Sequence, residues 1–175
     1  MTMATANDGF VSDATSPLSL RLLLIVAALA ELVDSAAASL PALFMDHSQI
    51  PAPGITGAII LTGIALQPPL AIAAIGSALI KRMRLAVCAL AATGICTWLF
   101  YLPSMTLTNL GVPFNRTSLL FLADTELVLP IAIVAVVLVL FTARLNLAIL
   151  LACLPTAIRL AGLIAFVSAA VMHGV

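Results

Sequence analysis

The sequence predicts an all-α integral membrane bundle of five transmembrane helices, with the amino end in the cytoplasm and the carboxyl end outside. Three observations carry that prediction. Hydrophobic residues make up 63% of the chain and charged residues 8%, whereas a soluble domain carries roughly a quarter charged residues. Too few polar side chains remain to cover a water-facing surface, so lipid has to cover it. Long apolar runs recur along the chain, and its basic residues fall on one side of the topology those runs imply.

The elements follow in order. Residues 1–19 are small and polar, with Pro17 near the end, and are expected to form a disordered cytoplasmic tail. The remainder, 20–175, reads as one helical membrane domain. Its apolar segments span approximately 20–45, 55–80, 85–102, 119–141 and 145–172, the third being the shortest. A helix needs about 20 residues to cross the hydrocarbon core, and each segment comes close to or exceeds that length. No segment alternates polar and apolar residues, which excludes the strands of a β-barrel. Gly57, Gly63, Gly76, Ala89 and Gly94 are small enough to let helices approach closely.

Orientation comes from charge. Lys81, Arg82 and Arg84 form the one basic cluster, in the short link between the second and third segments. The positive-inside rule sets that link in the cytoplasm. Arg21 and Arg144 then also lie inside, and Arg116 lies outside. Trp98 and Tyr101 fall at the outer end of the third segment, where interfacial aromatics belong. A cell inner (plasma) membrane is the expected location. A competing reading takes residues 1–38 as a signal peptide, with Arg21, an apolar core and the small run Ser35–Ser39 for cleavage. The long leading region with Asp8 and Asp13, and the apolar residues Leu40 to Met45 beyond, speak against it.

Several functions are excluded or disfavoured. The net charge is zero and no long basic tract exists, so nucleic acid is not an expected partner. The lipid bilayer is, together with a second copy or another membrane protein. No His-Glu-x-x-His, Gly-x-Ser-x-Gly or nucleotide-binding loop is present, and an enzyme is not expected; Asp46 with His47 are the only adjacent candidates. No cofactor or metal is expected. His47 and His173 sit near Met45, Met105 and Met172, a soft donor set for copper, but in short unspecific strings. Cys88, Cys96 and Cys153 lie in apolar runs and read as buried small hydrophobes. Asn115-Arg-Thr117 matches the glycosylation acceptor on the outer side.

The informative residues are polar ones at membrane depth. Glu31 and Asp34 lie near the middle of the first segment, three residues apart and so on one helix face. Gln67 lies mid-way along the second, followed by Pro68 and Pro69, and Arg159 mid-way along the fifth, one turn after Pro155. An ionised side chain at the bilayer centre costs about 2.5–3.5 kcal/mol, so these groups should face the bundle interior and find partners. Arg159 is the expected partner of Glu31 or Asp34. The prolines remove helical donors at the same depth, as in the interrupted helices of many solute pathways. Asp124 and Glu126 sit one or two turns below the outer surface, suited to a helix start or to an outer vestibule. Two functions remain open. A polar layer of Glu31, Asp34, Gln67 and Arg159, with Asp124 and Glu126 outside it, could translocate a proton, ion or small solute. Alternatively the charges only lock helices together in an accessory or assembly subunit of a larger membrane complex.

Overall fold

The computed structural model describes residues 17–44, 55–108, 127–141 and 144–173. Within them the chain is all-α, in five helices: α1 (Leu18–Phe44), α2 (Ile55–Leu79), α3 (Met83–Thr108), α4 (Val128–Phe141) and α5 (Leu145–His173). Residues 1–16 of the expected tail, Asn115 and Arg116, and Asp46 and His47 lie outside the described residues, as do Asp124 and Glu126. Helices α1, α2 and α5 keep close to the expected limits. Helix α3 instead runs on to Thr108, past the expected end at 102. Apolarity marks where a helix can sit in lipid, and the backbone ladder has no need of it.

The helices form a closed ring in chain order, each packed on the next and α5 packed back on α1, while α3 also touches α1 and α5. Among the described residues, two helices are long and apolar enough to cross a membrane, over Gly57–Leu79 and Leu145–Gly162. Met83–Leu99 and Val128–Phe141 are shorter apolar stretches. Helix α1 has 27 residues, about 40 Å of rise, but carries Arg21, Glu31 and Asp34.

Burial runs opposite to the pattern of a water-soluble bundle. The core is dominated by alanine: Ala27, Ala28, Ala74, Ala78, Ala86, Ala135, Ala148 and Ala152 are all buried, around Leu24, Met83, Val87 and Ile149. Large aliphatic side chains point outward instead, among them Leu22 and Val26 on α1, Ile59 and Ile72 on α2, Val134 and Val137 on α4, and Leu147 and Leu150 on α5. Small residues on inner faces let backbones approach closely, as in helices that associate inside lipid. Gly63 shows that contact directly: a Cβ there would lie 3.3 Å from the Cys96 carbonyl oxygen of α3. Gly94 faces Val128 of α4, where a Cβ would make an ordinary contact at 3.5 Å. Gly76, expected at a close helix contact, instead faces open space.

All five helices contribute to the alanine core at one end of the bundle, and the link between α2 and α3 closes that end. Lys81 adopts a left-handed conformation (φ 64°). The Arg82 amide donates to the Ser77 carbonyl at 2.8 Å and the Lys81 amide to the Ala78 carbonyl at 3.2 Å. These are the two bonds of a Schellman cap, with lysine where glycine is usual. Arg21 completes the cap from α1. Its Nε donates to the Ala78 carbonyl at 2.8 Å and its Nη2 to the Leu79 carbonyl at 2.7 Å. Expected only as an orienting charge, Arg21 also ties the start of α1 to the end of α2.

The prolines do not interrupt their helices. Helix α2 runs unbroken through Pro68 and Pro69, and α5 through Pro155.

Candidate functional site

Glu31 is the middle residue of α1, Gln67 of α2 and Arg159 of α5. Depth along the helices is therefore shared, but facing is not. Helices α1 and α5 run parallel, and their polar residues meet at a fixed offset. Thr156 Oγ1 donates to Glu31 Oε1 at 2.7 Å, 125 residues away. Arg159, three residues further along α5, reaches Asp34, three residues further along α1, with Nη1 3.7 Å from Oδ2. The guanidinium also bridges back to Glu31: Nη1 donates to Oε2 at 3.3 Å and lies 3.3 Å from Oε1.

The two carboxylates are placed very differently. The Glu31 side chain is 6% exposed and takes both a hydroxyl and a guanidinium donor. That is the minimum that makes a buried carboxylate tolerable, since attraction alone rarely offsets desolvation. The Asp34 side chain is 71% exposed and holds Arg159 only at the longer distance. One guanidinium faces two carboxylates. The surplus negative charge sits on Asp34.

Asp34 looks into an open-sided cavity of about 510 Å³ between α1 and α5. Leu29, Ala30, Val33, Ala37 and Leu160 form its walls, and Glu31, Asp34, Thr156 and Arg159 its polar floor. On the side of the alanine core the floor is sealed. Ala27, Ala28, Ala148, Ile149, Ala152 and Cys153 are each at most 5% exposed. On the other side the seam opens, and from Ala157 to Met172 Gly162 is the one buried residue of α5 among those described.

Gln67 belongs to a different seam. It is buried, and its Nε2 donates to Thr97 Oγ1 of α3 at 3.2 Å. Thr97 in turn donates to the Thr93 carbonyl at 3.0 Å, and Thr93 to the Leu90 carbonyl at 2.6 Å. The Gln67–Thr97 bond staples α2 to α3, the two threonine bonds stay within α3, and Gln67 does not line the cavity. The expected layer of four residues thus resolves into a charged trio on α1 and α5 and a neutral staple on α2 and α3.

Thr156 was not among the expected site residues. Its spacing of three from Arg159 repeats the spacing of Glu31 and Asp34, and that repeat is the sequence signal that points to it. Among the described residues no group of three or more His, Cys, Asp or Glu side chains could hold a metal ion. Cys96 and Cys153 are buried, and Cys88 is half-buried.

No protein-family model, curated protein or solved structure matches this chain.

Proposed function

We propose that the chain is a multi-pass membrane protein of five spans in a cell inner membrane, with its amino end in the cytoplasm, that moves a proton, ion or small solute through the Glu31–Asp34–Arg159 site. The membrane part rests on the two apolar helices and on the outward-facing aliphatic side chains of every helix. Lys81, Arg82 and Arg84 are exposed together at the end that carries the alanine core, which the positive-inside rule assigns to the cytoplasm.

One observation carries the site reading. Asp34 is three residues from the middle of α1, about 4.5 Å along the axis, and its carboxylate is 71% exposed. A charge at that depth cannot face hydrocarbon at small cost. Water or a cationic occupant in the cavity beside it would relieve that cost, and the sealed alanine core leaves the cavity open on one side only. In an alternating-access cycle, Glu31, Thr156 and Arg159 form the fixed base and Asp34 the exchangeable partner.

The test is flux in proteoliposomes. The purified chain should carry a proton or cation current that Asp34→Asn abolishes while leaving the protein folded and inserted. The sealed core favours a second reading, an accessory subunit in which the trio only joins α1 to α5. That reading expects no flux from the native chain, and loss of a co-purifying membrane partner from the variant.

A further inference from the structure

We infer that the groove between α1 and α5 binds an amphiphilic organic monocation, with Asp34 as its counter-ion. This rests on the site reading above and names the chemical class that the site would take. Three features converge. The first is charge: Glu31 is satisfied by Thr156 and Arg159, at 2.7 and 3.3 Å, which leaves one carboxylate's worth of negative charge on Asp34. One positive charge neutralises it, and two would not be matched.

The second is the wall. Leu29, Ala30, Val33, Ala37 and Leu160 offer no side-chain oxygen, nitrogen or sulfur. A bare inorganic cation replaces its hydration shell with several oxygen ligands, six or more for calcium, and these described walls supply none. An apolar body packed against those walls is the chemistry they do match. None of the described residues that line the cavity is aromatic, so recognition by them comes from the ion pair and apolar contact rather than from a cation–π cage.

The third is size. A cavity of about 510 Å³ is in the range of small-molecule sites, about 300–1,000 Å³, and far exceeds a single ion. Its open side is flanked by Val33 and Leu29, both exposed apolar residues, so an amphiphile can enter with its apolar part still in a hydrophobic setting.

Equilibrium dialysis of the full-length chain in detergent, with tetraphenylphosphonium as the probe, tests this. Saturable binding of one probe per chain is expected. Asp34→Asn should weaken it about tenfold or more, because the counter-ion of the phosphonium charge is removed. Val33→Trp, which fills the groove from an exposed position without touching the charge, should weaken it as well. Thr62→Ala, on the exposed face of α2, should leave it unchanged, and sodium in large excess should not displace the probe. Binding that ignores both groove variants, or that sodium displaces at low concentration, overturns the inference. Absent probe binding together with an Asp34-dependent proton flux overturns this inference and leaves the transport reading standing. Absence of both sinks the two together.

Discussion

The seam between α1 and α5 has two halves built from the same kinds of residue and packed in opposite ways. Below Glu31, Ala27 and Ala28 meet Ala148, Ile149 and Ala152 with almost no surface left exposed. Above it, Val33, Ala37 and Leu160 stand apart around a cavity. The charged trio lies at the boundary. Small side chains close a seam only where both backbones can approach, and at that same end Arg21 ties α1 to the end of α2. The comparison teaches that the ion pair is the edge of the packed region rather than its centre.

The largest effect should come from removing the cation at that boundary. Arg159→Leu leaves Glu31 buried without its guanidinium, and breaking a buried pair costs about 3–5 kcal/mol. Thermal unfolding in detergent should report it, and an unchanged midpoint would mean that the seam does not depend on the trio. Next is the clamp. Arg21→Ala removes two bonds to carbonyls, one of them exposed so that water replaces most of it, and should cost about 1.5–3 kcal/mol in all, loosening the packed half while leaving the groove walls alone.

Overpacking separates the halves more finely. Ala28→Leu intrudes on the closed seam and should cost about 1–3 kcal/mol. Val33→Leu enlarges an exposed wall and should stay within about 0.5 kcal/mol of neutral. Equal effects would erase the distinction between closed and open. The smallest change expected is a gain. Lys81→Gly relieves a left-handed conformation that costs a side-chain residue about 1–2 kcal/mol, offset in part by the freedom glycine has when unfolded. A midpoint that rises by a degree or two would fit the Schellman cap, and one that falls would not.

Much of this was legible in the sequence, for reasons that can be named. Depth was readable because Glu31, Gln67 and Arg159 each fall half-way along an apolar run, and the pairing of Glu31 with Arg159 followed from charge. Facing was not. Helix α2 is apolar on all sides, so no periodicity tells which way Gln67 points, and only packing turns it toward Thr97 on α3. Thr156 stayed hidden because a hydroxyl in a membrane helix bonds as readily to its own backbone, as Thr62 does to the Ala58 carbonyl. Arg21 was read as a topological charge because a bond to a carbonyl 57 residues away has no local signature. The alanine core was not legible, since alanine and leucine occur in runs along α1 without a repeating step and Leu24 is buried beside Ala27 and Ala28. Which of the two faces inward depends on whether lipid or water lies outside.

The central claim is that Asp34 stands in a hydrated groove while other exposed positions of α1 face lipid. Cysteine reactivity tests it, in a chain whose three native cysteines are replaced by alanine. Cysteine at position 37, on the groove wall one turn past Asp34, should react rapidly with a water-soluble maleimide applied to both sides of the membrane. Cysteine at position 26, exposed on α1 but outside the groove, should react at least about tenfold more slowly, since a thiol in lipid stays protonated. Equal rates, or an inert cysteine at 37, would contradict the account.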